Sequence, residues 1–158
     1  FLTTKTIYIM ALNFDKYAQE GNEFINKLAE KLGHPEEKSR TGIILRAVLH
    51  TLRDRITISE SLNLLSQLPM FMKAIYVDNW KFSERPKTFN KLEDFKTEVK
   101  EHQARYGEHE FEWQKSTKEI VSIVLSQLGV YISEGEARDI MAQLPDEVEE
   151  LFRESLPV

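Results

Sequence analysis

The sequence of this chain repeats itself, so its fold has to build the same local structure twice. Residues 41–69 align without a gap on residues 117–145, at a constant shift of 76 positions. Ten of these 29 positions are identical, and the apolar positions keep their spacing. The identical pairs are Thr41/Thr117, Ile44/Ile120, Val48/Val124, Leu49/Leu125, Leu52/Leu128, Ile56/Ile132, Glu60/Glu136, Gln67/Gln143, Leu68/Leu144 and Pro69/Pro145.

Each copy has the apolar spacing of a long α-helix that is followed by a short one. In the first copy Ile44, Val48 and Leu52 form one stripe at helical spacing, and the second copy repeats it. No segment alternates apolar and polar residues as a half-buried strand does. The pattern therefore predicts a helical repeat without a sheet.

A capping box begins the short helix of each copy. Thr57 stands three residues before Glu60, and Ser133 stands three residues before Glu136. In such a box the hydroxyl accepts from the amide three residues on, and the glutamate reaches back to the amide of the cap. We expect each short helix to end at Gln-Leu-Pro, because proline cannot continue a helix but suits the start of the next one.

One further helix precedes and one follows this pair in each half. In the first half they are expected at residues 13–32, where Gly33 provides the C-terminal cap and Pro35 starts the next helix, and at residues 69–79. In the second half they are expected at residues 90–106, with Gly107 as the stop, and at residues 145–155. The side chains expected to face inward are Phe14, Tyr17, Phe24, Ile25, Leu28 and Leu32 in the first half and Leu92, Phe95 and Val99 in the second.

These elements predict an all-α fold of eight helices, arranged as two pseudo-symmetric four-helix repeats that pack together. The expected division is an N-terminal tail at residues 1–12, a first repeat at 13–80, a linker at 81–88 and a second repeat at 89–158. The linker is polar and contains Pro86. Each half has about 70 residues, which is marginal for independent stability, so the halves are expected to pack on each other.

Charge and composition exclude several classes of protein. The formal net charge is −5, which disfavours a protein that binds nucleic acid by neutralising phosphates. The chain has no cysteine, which excludes disulfides and thiolate sites and suits the cytoplasm. The longest apolar run, residues 7–12, is far shorter than the roughly 20 residues of a membrane-spanning helix. The acidity is local, since residues 134–154 hold eight acidic and two basic side chains.

The repeat resembles a bacterial helical family that is known only as domain-of-unknown-function family 2267. The segments that carry the resemblance are Leu45-Arg46-Ala47-Val48-Leu49, Leu52, Arg55-Ile56, Glu60, Gln67-Leu68-Pro69 and Trp80, and in the second copy Val124-Leu125, Leu128, Glu136 and Gln143-Leu144-Pro145. The second copy departs from the pattern, because Ser122 and Tyr131 stand where Arg46 and Arg55 stand in the first. The resemblance spans residues 14–156 and implies the two-repeat helical fold, with no activity attached to it.

No known catalytic or cofactor-binding pattern occurs in the sequence, so no enzyme, cofactor or metal is predicted. The best metal candidates are Glu98 and His102, one helical turn apart, within a cluster that also holds Glu101, Glu108, His109, Glu110 and Glu112. A solvated acidic helix end is the more ordinary interpretation of this cluster. His50 lies off the apolar stripe of its helix and is expected at the surface.

Two features suggest a partner surface. Arg46, Arg53 and Arg55 form a basic patch that is either a solvated face or a site for an anion or acidic partner, and the acidic end of the second repeat is one such partner. The helix at residues 69–79 is apolar almost all round, so it is either the packing centre between the repeats or a face covered by a partner. The contact residues expected on and after it are Met70, Phe71, Met72, Tyr76 and Trp80.

Structural roles are expected for Gln67, Pro69, Gln143 and Pro145. Each glutamine amide is expected to bond backbone groups that its own Gln-Leu-Pro junction leaves free.

The leading functional hypothesis is a non-enzymatic protein-interaction module that binds a protein partner or itself, with a homodimer as one form. The alternative is a protein that binds a small apolar ligand between the repeats, near residues 70–77. An enzyme of unrecognised type would require a buried cluster of histidine and carboxylate with perturbed pKa values. Nucleic-acid and membrane partners are not expected.

Overall fold

The computed structural model describes residues 12–81, 86–88, 90–107 and 114–156, and within these ranges the fold is all-α, as predicted. The helices in chain order are α1 (Phe14–Leu32), α2 (Lys38–Arg55), α3 (Ile58–Gln67), α4 (Met70–Val77), α5 (Leu92–Arg105), α6 (Thr117–Leu128), α7 (Glu134–Met141) and α8 (Asp146–Ser155). One turn of 3₁₀-helix, Gly129–Tyr131, follows α6. The described helices therefore number eight, in the expected order.

The start of α2 differs from the prediction that Pro35 begins it. Gly33 adopts φ 84° as the left-handed cap of α1, and the amide of His34 bonds back to Ala29. The amide of Glu37 then bonds to His34, so residues 34–37 form a turn and the helix begins only at Lys38.

One other helix boundary and one residue expected to face inward differ from expectation. Helix α4 ends at Val77, short of the predicted residue 79, because Asn79 adopts φ 53° and turns the chain away. Phe14 is exposed although it was expected to face inward, since the first turn of α1 extends past the core. The remaining inward residues of α1 are buried or half-buried, as are Leu92, Phe95 and Val99 of α5.

Helix α2 is the centre of the molecule. It packs most extensively on α5 and also contacts α1, α4 and α6. Its fully buried side chains accordingly lie around much of its circumference, from Thr41 and Leu45 to His50 and Thr51. Helix α4 was expected to be either the packing centre between the repeats or a face covered by a partner. It packs mainly on α1 and α2 of its own half, so it is not the packing centre.

Contacts within the first half have counterparts within the second. The pairs α1–α2, α2–α4 and α1–α4 correspond to α5–α6, α6–α8 and α5–α8, and α3 packs on α7 between the halves. This paired pattern favours the two-repeat prediction. Residues 1–11 of the predicted tail and residues 82–85 of the predicted linker lie outside the described residues. None of the described helices is long and apolar enough to cross a membrane.

Candidate functional site

The C-terminal end of α4 is held by an arginine from the centre of the fold. Arg53 of α2 is buried, and its Nη1 donates to the carbonyl oxygens of Tyr76 at 2.7 Å and of Asp78 at 2.9 Å. Its guanidinium also lies 5.7 Å from the centre of the Trp80 ring. Arg53 therefore satisfies the carbonyl groups that the end of a helix leaves free.

The expected basic patch is not an exposed face. Arg46 is part-exposed, but its Nη2 forms an ion pair with Asp78 at 2.8 Å and its guanidinium lies 5.1 Å from the centre of the Tyr106 ring. Arg53 is buried, and Arg55 is half-buried. Arg46 and Arg53 converge on Asp78, and none of the three arginines is fully exposed, so they do not form one exposed basic surface for the acidic end of the second repeat.

His50 is fully buried, so the expectation of a surface histidine is wrong. The reason is that α2 is covered on several sides, and a position off its apolar stripe still faces a neighbouring helix. The ring Nε2 lies 2.7 Å from the carbonyl oxygen of Ile75 in α4. Because a carbonyl only accepts, Nε2 donates, and Nδ1 of the neutral ring accepts from the hydroxyl of Tyr106, the residue that follows α5. His50 therefore joins α2 and α4 to the C-terminal end of α5.

A second histidine and two carboxylates continue this polar cluster. Nε2 of His102 donates to Oδ2 of Asp54 at 3.0 Å, and the ligand atoms of Asp54, Glu98 and His102 all lie within 4.8 Å of one another. Nδ1 of His102 lies 3.4 Å from the hydroxyl of Tyr106. Glu98 is paired with Nζ of Lys87 at 3.0 Å.

The structure thus brings together the predicted candidates Glu98 and His102 and adds Asp54 from the end of α2. His102 and Glu98 already have partners, Asp54 and Lys87, so a metal would have to displace both contacts. Of the other members of the predicted cluster, Glu101 is exposed on α5. Glu108, His109, Glu110 and Glu112 lie outside the described residues.

Burial and neighbouring charges perturb the titration of this cluster. Burial lowers the pKa of His50 to about 4, and the positive charge of Arg53 acts in the same direction. Burial by itself would raise the pKa of Asp54, but the hydrogen bond and charge of His102, together with the charges of Arg53 and Lys87, outweigh it and lower that pKa. The cluster therefore holds a neutral His50 beside an ionised Asp54 at neutral pH.

The two glutamines bond across the junction between the halves, and not at their own helix ends as expected. Gln67 accepts from the amide of Ser133 at 2.7 Å and donates to its hydroxyl at 3.2 Å. Gln143 accepts from the amide of Thr57 at 2.9 Å and donates to its hydroxyl at 3.3 Å. Each glutamine therefore satisfies the N-cap of the short helix in the other half.

Of the two hydrogen bonds predicted for each capping box, one is present and one is absent. The hydroxyls of Thr57 and Ser133 accept from the amides of Glu60 and Glu136, as expected. The cap amides, however, are taken by the glutamines, so the glutamate side chains do not reach back to them. Pro69 and Pro145 stand immediately before α4 and α8, as their structural role requires.

The proposed contact residues of α4 divide between core and surface. Met72 and Tyr76 are buried, and the Tyr76 hydroxyl lies 2.6 Å from Oγ of Ser61. Phe71 and Trp80 are half-buried, and Phe71 packs against Phe24. Met70 remains exposed, so only part of the predicted surface is available to a partner.

The exposed residues of α3 and α4 are all uncharged, a feature that was not predicted from the sequence. Four of them are large and apolar: Ile58 (46% exposed), Leu62 (59%), Met70 (47%) and Val77 (44%). The shift of 76 positions places charged residues at the equivalent sites of the second half: Glu134, Arg138, Asp146 and Arg153, all of them exposed. Ile58 and Leu62 lie one turn apart on α3, and Met70 and Val77 lie two turns apart on α4; we refer to these four residues as the apolar α3–α4 surface.

Three cavities are lined by described residues, and none of the three is lined by a residue of α4. One has a volume of about 570 Å³ and lies beside Lys87 and Glu98. Another, of about 220 Å³, lies between Phe24 of α1 and Tyr131 of the 3₁₀ turn. The third lies beside Leu92 and Glu150, so none of these three is the predicted ligand site near residues 70–77.

The family model described as "Uncharacterized conserved protein (DUF2267)" matches residues 21–151, which is well over half of the chain. No curated protein matches the chain.

Proposed function

The chain belongs to this uncharacterised family, whose description assigns no activity, and we propose that it is a non-enzymatic protein-interaction module that pairs with a second copy of itself. The observation that carries the proposal is the apolar α3–α4 surface. Large side chains lie exposed there, while equivalent positions of the same chain are charged. Exposed apolar patches of soluble proteins often mark contact sites.

The second half serves as an internal control for this interpretation. Helices α7 and α8 occupy the places of α3 and α4 in the repeat, and every exposed residue of α8 is charged. Charge at these positions is therefore compatible with the helices and their caps. Apolar residues at the equivalent positions of α3 and α4 are not needed for folding, which favours a role in contact.

A second copy fits this surface because the surface carries no exposed charge. The exposed residues of α3 are Ile58, Ser59, Leu62, Asn63 and Ser66, and those of α4 are Met70, Ala74 and Val77. In a two-fold symmetric dimer the same patch meets itself, so a patch whose exposed charges had one sign would meet a patch of the same sign. An uncharged patch avoids that repulsion.

An enzymatic role has less support from the polar cluster. His50 is fully buried and both of its ring nitrogens are engaged, so it would reach a substrate only after rearrangement. The polar cluster around His50 and His102 connects three helices, and this structural role explains it. The lack of cysteine supports the cytoplasm as the compartment in which the module acts.

In-cell cross-linking with mass spectrometry tests the proposal through Lys73, the only lysine of α3 and α4. We expect links between Lys73 of one chain and residues near α3 or α4 of another. The double variant Leu62→Arg with Met70→Asp, which installs the residue types of the equivalent sites Arg138 and Asp146, should abolish these links while the protein stays folded.

The matched control is Val130→Arg, which adds a charge at an exposed apolar residue outside α3 and α4. It should leave the links unchanged. Lys73 could instead be cross-linked to a different protein. If the double variant abolishes those cross-links, that protein, and not a second copy, would be the partner. The absence of any link between chains or proteins through Lys73 would contradict the proposed function.

A further inference from the structure

Two glutamates face each other where the halves of the molecule meet. Glu60 of α3 and Glu136 of α7 occupy the same position in the two copies of the repeat, and α3 packs on α7. The two residues are only 8% and 6% exposed. Their carboxylate oxygens and one of Asp139 lie within 4.8 Å of one another.

The pair is not neutralised by the described part of the chain. Oε1 of Glu60 and Oε1 of Glu136 are buried and have no hydrogen-bond partner among the described residues. Gln143 donates to Oε2 of Glu60 at 3.4 Å, and no lysine or arginine of the described ranges forms an ion pair with either glutamate.

Buried carboxylates this close cannot both stay ionised without a counter-charge. Burial, and then the neighbouring carboxyl group of Glu60, raise the pKa of Glu136 to about 8. The two carboxylates therefore require a positive partner, which is either a shared proton or a cation.

We propose that Glu60, Glu136 and Asp139 bind one divalent cation that prefers oxygen ligands, and that this ion ties α3 to α7. Three carboxylates without nitrogen or sulfur donors suit a hard cation of the Mg²⁺, Mn²⁺ or Ca²⁺ class. The two unpartnered Oε1 atoms supply ligands whose burial otherwise has no compensation.

The surroundings suit such a site. Asp139 is exposed, so the cluster opens to solvent on that side, where a cation can enter and keep water ligands. The glutamine contacts to Thr57 and Ser133 fix the first turns of α3 and α7, so both glutamates are held in place before the ion binds. The ligands come from both halves, and binding would therefore stabilise the junction between them.

Thermal unfolding of chelator-treated protein tests the proposal at a pH above 8, where a proton competes least. Millimolar Mg²⁺, Mn²⁺ and Ca²⁺ are added separately, and we expect at least one to raise the melting temperature. The variants Asp139→Asn and Glu136→Gln should lose that rise. Asp139 is exposed, so its replacement should not affect folding. The control Glu134→Gln removes an exposed carboxylate of the same helix, paired with Arg138, and should keep it.

Two outcomes would overturn the cation site. One is that none of the three ions changes the melting temperature of the unmodified chain, which would leave a shared proton as the partner of the pair. The other is that Asp139→Asn keeps the full rise, which would place the ion elsewhere. Titration calorimetry of the same variants gives the binding stoichiometry, expected to be one ion per chain.

Discussion

The side-chain oxygen of Gln143 accepts the backbone amide hydrogen of Thr57 at 2.9 Å, although 86 residues separate the two in the chain. Gln67 makes the equivalent contact to Ser133 at 2.7 Å. These bonds cap α3 and α7 from opposite halves. The start of each short helix is therefore completed only when the halves are packed together.

Replacing these glutamines should weaken folding. Gln67→Ala and Gln143→Ala each leave a cap amide without its partner, and we expect each to lower the free energy of unfolding by about 1–2 kcal/mol. Urea unfolding followed by circular dichroism measures the change. Gln19→Ala, at an exposed residue bonded only to Glu23 in α1, is the control and should change little. Unchanged midpoints in both junction variants would remove the structural role.

Arg53 should contribute more than any exposed arginine. Arg53→Ala leaves the carbonyls of Tyr76 and Asp78 unpaired at the end of α4, and we expect a loss of about 2–4 kcal/mol. Arg53→Lys should recover only part of it, because an ammonium group lacks the planar fork of a guanidinium. In thermal unfolding, the control Arg138→Ala, at an exposed residue, should have a free energy of unfolding within about 0.5 kcal/mol of that of the unmodified chain. An equal loss in both alanine variants would contradict the role of Arg53.

Stability should fall in weak acid because of His50. Its pKa is about 4 in the folded chain and 6.5 when unperturbed, so between these values the unfolded chain binds a proton that the folded chain does not. The contribution is fully present above pH 6.5 and is lost as the pH falls towards 4. Urea midpoints at about pH 7.5 and about pH 5 should therefore differ less in His50→Gln than in the unmodified chain. The half-buried His34 provides the control, and a pH dependence in His50→Gln as steep as in His34→Gln would refute the assignment.

Local features of the fold could be predicted from the sequence, whereas contacts between distant segments could not. The left-handed cap at Gly33 and the hydroxyl caps at Thr57 and Ser133 depend on neighbouring residues, and all three are found. The pairing of His102 with Asp54 joins residues 48 positions apart, and no local pattern encodes it. His50 was misplaced because helical periodicity identifies one buried face, and a central helix has several.

One signal in the sequence could have indicated the junction. Glu60/Glu136 and Gln67/Gln143 are polar pairs kept at equivalent positions of both copies. When two copies pack around a pseudo-two-fold axis, residues near the axis meet the other copy, so a polar residue kept in both is a candidate for such a contact. The capping-box interpretation of Glu60 and Glu136 explained their identity locally and so left the junction unrecognised.

The most direct test of the proposed function is the molar mass in solution, measured by light scattering over a range of protein concentrations. We expect twice the 18.5 kDa chain mass at high concentration, and a monomer for Leu62→Arg with Met70→Asp. The dimer should persist at high salt, because its contact is apolar, whereas a contact between a basic and an acidic face would weaken. A monomer at every concentration, or a dimer that the double variant leaves intact, would contradict self-association through α3 and α4.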